Sequence, residues 1–203
     1  MNLKKIDENL AKGLNNFGLI EPNILQSDMF SSLKSGENWV IEAPESSGKS
    51  TLLVMHVLQL LKKPEGDNPR ALIITPSKSD VLFLTELFRN IGTYNHLRVY
   101  SVHDNSDIDY DKNQMSLGID VLIGTPHMIN QLFGSAGFNG NTIKIISFYK
   151  TNDLTAPRQE IILHRLCDSI LKAQRVIWCE NITEKIENLA FRIMKEPKYY
   201  EQE

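Results

Sequence analysis

The stretch Ala43-Pro44-Glu45-Ser46-Ser47-Gly48-Lys49-Ser50-Thr51 gathers residue types that together grip phosphate. Four residues separate Ala43 from Gly48, and a lysine and a serine follow at once. That is the spacing of G-x-x-x-x-G-K-[ST], with alanine in the place of the first glycine. Gly48 lets the backbone turn its N–H groups toward a phosphate, and Lys49 reaches the β- and γ-phosphates. The Ser50 hydroxyl suits Mg²⁺, and a helix starting there adds positive dipole. Ser46 and Glu45 fall inside the cradle. A serine is tolerated at 46 unless the backbone there needs positive φ. The Glu45 carboxylate repels phosphate unless it points outward. The candidate nucleotide-binding residues of this stretch are Ala43, Ser46, Ser47, Gly48, Lys49, Ser50 and Thr51.

Little else is spaced for chemistry. The five histidines (56, 96, 103, 127 and 164) show no metal-ligand spacing, and Cys167 and Cys179 lack a partner pair for zinc. No metal site is expected, and no Ser/His/Asp arrangement is legible. Trp39 and Trp178 fall within apolar runs and are expected in the core. The acidic run Asp104 to Asp111 reads as a solvated loop, with the docking of a basic partner as its sharper reading. With 203 residues, 41% of them hydrophobic, the chain can bury one substantial core. A formal net charge of -3 is no footprint of a strongly basic nucleic-acid binder. No apolar run approaches the roughly 18 residues that cross a bilayer. MNLKKIDENL has charge but no apolar h-region, which argues against a secretory signal. The cysteine usage fits a reducing, cytoplasmic compartment.

The elements that must position the loop are legible as alternating patterns. Short apolar runs rich in β-branched residues occupy 38–43, 71–75, 97–102, 120–125, 143–149 and 175–179. Most are nearly continuous in apolar character, as strands buried on both faces of a parallel sheet are. Helical periodicity covers Ser50 to Leu61, Asp80 to Ile91, Gln159 to Leu171 and Thr183 to Met194. Strands alternating with helices predict βαβ units and a three-layer α/β domain, with its ligand at the carboxyl ends of the strands. Ala43 ends the first strand and the helical pattern opens near Lys49, so the loop lies where a phosphate loop must. Tyr199–Tyr200 reads equally as a linker or a packing edge.

Several further motifs give the chain a family likeness. GLIEPNILQ (18–26), TPSKSD (75–80), GTPHM (124–128) and IISFYKTNDL (145–154) stand around the phosphate loop in one order. In that order, nearly end to end, the chain resembles the first RecA-like domain of DEAD-box RNA helicases. The likeness implies a single RecA-like P-loop domain over 1–203, with a mostly parallel central sheet and residues 1–36 as its Q-motif region. GLIEPNILQ is similar to the Q motif, whose Gly-aromatic step, proline and glutamine bracket adenine. Here those places hold Gly18, Pro22 and Gln26, with Leu19 at the aromatic place. Gln26 thereby joins the nucleotide-binding candidates. A further family aromatic falls at about Met1. TPSKSD occupies the place of Pro-Thr-Arg-Glu-Leu-Ala, with Lys78 for arginine and Ser79 for glutamate. Lysine holds phosphate as a point charge without the bidentate fork. Asp104 and Asn105 replace a Gly-Gly step. GTPHM keeps Thr125 and Pro126 and puts His127 and Met128 for glycine and arginine. Pro76, Lys78, Thr125 and Pro126 are the implied RNA contacts. The four places of Asp-Glu-Ala-Asp hold Phe148, Tyr149, Lys150 and Thr151. In the family the first carboxylate orders Mg²⁺ through water and the second orients the attacking water. The Ser-Ala-Thr motif falls at Cys179-Glu180-Asn181. AFRIMKEP (190–197) resembles the closing helix, and the chain stops where the linker to a second RecA-like domain would begin.

The resemblance therefore implies a catalytically degenerate domain, with no catalytic residues and no helicase activity as this chain. Such degenerate domains look like those of Tudor-domain-containing, insect Yb-like proteins. That likeness implies a scaffold among protein partners of an RNA-processing particle in small-RNA (piRNA) biogenesis and transposon silencing, within cytoplasmic ribonucleoprotein granules. ATP is the expected cofactor if any, with or without Mg²⁺, since Lys150 could neutralise phosphate in the metal's place. RNA binding is expected to be weak or to need a second RecA-like domain, and no membrane contact is expected. The alternative is a clamp that binds ATP and RNA without hydrolysis. A P-loop kinase or GTPase is disfavoured, because it has no use for the Q-motif match.

Overall fold

The computed structural model describes residues 3, 5–104 and 106–202. Met1 and Asn105, singled out above, lie outside the described residues. Within them the chain builds a seven-stranded sheet in the order β3-β4-β2-β5-β6-β1-β7. The strands are β1 (Trp39–Glu42), β2 (Ala71–Ile74), β3 (Val99–Val102), β4 (Val121–Gly124), β5 (Ile145–Phe148), β6 (Gln174–Cys179) and β7 (Lys198–Glu201). Every pair is parallel, where the sequence predicted a mostly parallel sheet. All four residues of β2, β4 and β5 are buried, which explains their unbroken apolar runs.

Side chains alternate between two cores, as a strand period of two requires. Ile41, Ile73, Ile123, Ile145, Val176 and Trp178 face one layer. That layer is α1 (Glu8–Asn16), α2 (Ile24–Leu33), α3 (Lys49–Leu61) and α4 (Lys78–Ile91). Val40, Leu72, Ile74, Leu122, Ile146 and Ile177 face the other, formed by α5 (Ile108–Met115), α6 (Pro126–Gly134), α7 (Pro157–Ser169) and α8 (Glu184–Ile193). Each fully buried aliphatic or aromatic side chain contributes about 1.5–3 kcal/mol, so the two cores hold the sheet edge-on to its ligand side. At the opposite end of the sheet, buried Asp120 accepts from Arg70 at 2.6 Å and Arg98 at 2.9 Å. Burial pushes the Asp120 carboxyl up, but the side-chain and backbone donors of Arg98, with Arg70, hold it below the usual carboxylate range.

The structure fills in what the sequence left open and corrects the reading of the acidic run. The Q-motif region is largely helical. Asp7 caps α1 by accepting from the backbone N–H of Asn9 and Leu10, and Asn23 opens α2 in a reciprocal capping box with Gln26. The acidic run is a solvated loop only in part: Asp104, Asp107 and Asp109 are exposed, but helix α5 begins at Ile108. Asp107 caps α5, Asp111 is buried and accepts from the Tyr100 hydroxyl at 2.8 Å, and Asp104 accepts from Thr125 Oγ1 at 3.0 Å. Helix α6 follows directly from Thr125-Pro126, with proline in its first turn. Tyr199–Tyr200 belong to β7, an edge strand beside β1.

Candidate nucleotide site

The loop between β1 and α3 has the shape that its spacing predicts. Ala43 is fully buried and donates its N–H to the Cys179 carbonyl at 3.2 Å, which ties the loop to the neighbouring strand. Pro44, Glu45 and Ser46 are exposed, and Glu45 nevertheless lines the cleft beside the loop, close enough to act on Lys49. Ser46 has φ 61° and Gly48 has φ 88°. The condition that would tell against serine at 46 is therefore met: it is held in the left-handed region that glycine occupies at no cost. Ser47 Oγ is buried without a hydrogen-bond partner.

Gln26 is packed beside this loop, as expected. The Asn23 amide donates to the Ser47 carbonyl at 2.8 Å. A Cβ on Gly48 would lie 2.6 Å from Asn23 Nδ2 and 3.0 Å from Gln26 Nε2. Glycine is thus required at 48 for two reasons, its positive φ and the approach of α2. Gln26 is itself buried and spends its Oε1 on the Asn23 N–H at 3.1 Å.

Lys49 is buried, and its ammonium donates to the carbonyls of Ala43 and Pro44, the latter at 2.9 Å. Burial lowers its pKa, while nearby Glu180, Cys179, Glu45 and Glu42 work against that shift. A cation so poorly hydrated gains from meeting an anion. Ser50 does not stand free for a metal, because its Oγ lies 2.8 Å from the Tyr149 hydroxyl.

That tyrosine comes from the tip of β5. Phe148 is fully buried in the second core, and the Tyr149 N–H donates to the Ile74 carbonyl at 2.9 Å. Lys150 has φ 49°, and its Nζ lies 3.0 Å from Asp80 Oδ1. The hydrogen bond that Lys150 donates to Asp80 raises the Lys150 pKa. Thr151 is buried with Oγ1 2.7 Å from the Phe148 carbonyl and 3.2 Å from that of Trp178. It closes the backbone turn into the 3-10 segment Thr151–Leu154.

Of these groups the loop residues from Glu45 onward, Tyr149, Lys150 and Asp80 line a cleft of about 660 Å³, whereas Gln26, Ala43, Phe148 and Thr151 lie outside its lining. Residues 45–51 form its floor, Tyr149, Lys150 and Glu180 one wall, and Ser79, Asp80, Phe83 and Leu87 of α4 another. Three carboxylates, Glu45, Asp80 and Glu180, therefore reach a cleft whose strand tip carries none. Among the described residues no group of three or more His, Cys, Asp and Glu converges as metal ligands. Sequence reasoning missed Asp80, Glu180, Phe17 and Phe83. Phe17 lines the cleft and is 41% exposed, whereas Leu19 packs against the core. An aromatic thus reaches the cleft from just before Gly18, and the order Phe17-Gly18 was the available signal.

The implied RNA contacts form a separate group. Pro76, Thr125 and Pro126 line a smaller cleft of about 260 Å³ with Asp104, His127 and Arg158. Thr125 and Pro126 start α6, and Lys78 is exposed at the first turn of α4, outside that lining. Cys167 and Cys179 are buried, and desolvation pushes both thiols up to about 12. No helix among the described residues is long and apolar enough to cross a membrane.

Comparison with known proteins agrees with this architecture. The model of the DEAD/DEAH box helicase family matches residues 23–153. ATP-dependent RNA helicase FAL1 of Eremothecium gossypii is 21% identical over 150 residues, 74% of this chain and 37% of that protein. The probable ATP-dependent RNA helicase YfmL of Bacillus subtilis is 20% identical over 190 residues, 93% of this chain and 50% of that protein. The chain spans half or less of the length of these curated relatives. The crystal structure of a hypothetical ATP-dependent RNA helicase from Sulfolobus tokodaii superposes with a TM-score of 0.86 at 16% identity, covering 97% of this chain and 57% of that one. The fold is that of a RecA-like helicase domain. With the family model matching well over half of its length, the chain belongs to the DEAD/DEAH box helicase family.

Proposed function

We propose that this chain is a non-hydrolysing helicase domain that serves as a scaffold or interaction module in RNA metabolism. The observation that carries the reading is the hydrogen bond between Tyr149 and Ser50 at 2.8 Å. Phosphoryl transfer depends on charge placed around the metal, the phosphate and the attacking water. The tip of β5 offers instead a buried phenylalanine and a phenol that engages the loop serine. The loop fits a nucleotide's phosphates: it has a glycine at φ 88°, a partly dehydrated lysine and the unpartnered Ser47 hydroxyl. ATP bound there would supply the phosphates that Gly48 and Lys49 hold, with Phe17 and Phe83 at the cleft wall. The site fits Mg²⁺ poorly, since Ser50 Oγ already meets the Tyr149 hydroxyl and, among the described residues, no cluster of three or more metal-ligating side chains faces it.

The likeness to the RNA helicases FAL1 and YfmL supports a place in RNA metabolism. Within it, we place the chain among protein partners of a cytoplasmic RNA-processing granule, in piRNA biogenesis and transposon silencing. The support for that finer assignment is the manner in which catalytic positions have been replaced. RNA binding by the chain alone is weak in this reading, because Asp104 occupies Thr125 on the face where a phosphate would lie. The retained loop favours a second reading, an ATP-dependent RNA clamp that does not hydrolyse.

The test is an ATPase assay on purified chain, with and without single-stranded RNA. No turnover above the Lys49→Ala control is expected. Turnover abolished by Lys49→Ala overturns the proposal. RNA binding that appears on adding a second RecA-like domain and ATP selects the clamp over the scaffold.

A further inference from the structure

A bound triphosphate brings several negative charges, and a divalent cation ordinarily offsets part of them. Here the loop hydroxyl that would contact such a cation lies 2.8 Å from the Tyr149 hydroxyl. Phe148 at the end of β5 is fully buried and carries no oxygen to offer. In place of a metal's holder stands a second ammonium. Lys150 lines the same cleft as Lys49. Its side chain is 37% exposed, and its ammonium lies 3.0 Å from Asp80 Oδ1 and 5.9 Å from the centroid of the Tyr149 ring.

We propose that this cleft takes a nucleoside triphosphate without a divalent cation, Lys150 leaving Asp80 to supply the positive charge that a metal supplies elsewhere. This rests on the cleft being the nucleotide site, and it adds the identity of the counter-charge. Asp80 then sets the affinity. The charged groups of the lining are Lys49 and Lys150 against Glu45, Asp80 and Glu180, two positive and three negative, a balance of -1. The Lys150–Asp80 pair is half-buried, with side-chain exposures of 37% and 12%, and Asp80 keeps the Ser77 hydroxyl as a donor when Lys150 turns to a phosphate. Neutralising Asp80 releases Lys150 and brings the balance to zero, so binding tightens.

The experiment is calorimetric titration of the whole chain with ATP, once in EDTA and once in Mg²⁺. Equal dissociation constants, within about twofold, are expected in the two buffers. Lys150→Ala should weaken binding in EDTA about tenfold, Lys150→Arg should restore it, and Asp80→Asn should tighten it about tenfold. Thermal unfolding of each variant confirms that it folds, and asparagine at 80 keeps an oxygen for the Ser77 hydroxyl that Asp80 accepts from. Binding that requires Mg²⁺ overturns the proposal. So does an unchanged affinity of Lys150→Ala in EDTA, and so does no binding at millimolar ATP. That last result leaves the non-hydrolysing reading in place, whereas Lys49-dependent turnover sinks that reading by itself.

Discussion

At Ser46 the chain keeps a side chain in backbone that suits glycine, with φ 61° and an exposed position. Left-handed backbone costs a non-glycine residue about 1–2 kcal/mol. Glycine loses more freedom on folding, which offsets part of that gain. Ser46→Gly is therefore expected to stabilise the fold by about 0.5–1 kcal/mol in denaturant unfolding, and a loss of stability would show that Ser46 makes contacts beyond those described. Tyr149 and Thr151 teach a related lesson. Their names give no contacts, yet the tyrosine hydroxyl reaches Ser50 and the threonine hydroxyl lies against the Phe148 and Trp178 carbonyls. Both side chains stand in hydrogen-bonded positions.

At the scale of elements, the phosphate loop is held by a helix that precedes it in sequence. Asn23 caps α2 with its side-chain oxygen and reaches the Ser47 carbonyl with its amide. Removing it takes away a cap worth about 1 kcal/mol and the tether to the loop. Asn23→Ala should cost about 1–2 kcal/mol by thermal or denaturant unfolding and raise hydrogen exchange at Ser47 and Gly48. Faster exchange confined to α2 would separate the cap from the tether. The long helices α3 and α4 and all the central strands were legible, because their apolar residues repeat with one clear period. Helices α5 and α6 were not. The apolar contacts of α5 are few, with Met115 buried and Ile108 partly so, and polar residues fill the rest of it. Strand β7 was ambiguous because KYYE has no buried face, and only its pairing with β1 defines it.

For the molecule as a whole, stability should depend on pH through a group far from the cleft chemistry. His56 on α3 is fully buried, and desolvation, only partly offset by the Leu33 backbone and the Gln174 side chain, pushes its pKa down from 6.5 to about 4. The unfolded chain takes up a proton as pH falls through about 6.5, and the folded chain resists until about 4. Stability is therefore complete above pH 6.5 and declines between 6.5 and 4, by roughly 3 kcal/mol from this residue. Chemical unfolding across that range tests it, with His56→Leu expected to flatten the slope. An unchanged slope in the variant would assign the loss to other groups. The carboxyl edge carrying the cleft lies at the other end of the sheet from the Arg70–Asp120–Arg98 cluster, so ligand and ion cluster load different ends of the same strands.

The amino-acid order by itself determined the α/β alternation, the position of the phosphate loop between a strand and a helix, and the residues standing at the tip of β5. Those are local matters: periodicity and spacing are properties of neighbouring residues, and a side chain's chemistry is stated by its name. Only the tertiary structure decided where Asp80, Glu180 and Phe17 come to lie, because each arrives at the cleft from a different element. Tertiary packing also decided that Tyr149 turns to Ser50 and Lys150 to Asp80, contacts that join residues 99 and 70 positions apart in the chain. Spacing along a sequence carries no information on such distances, which packing of the sheet and its two helical layers sets.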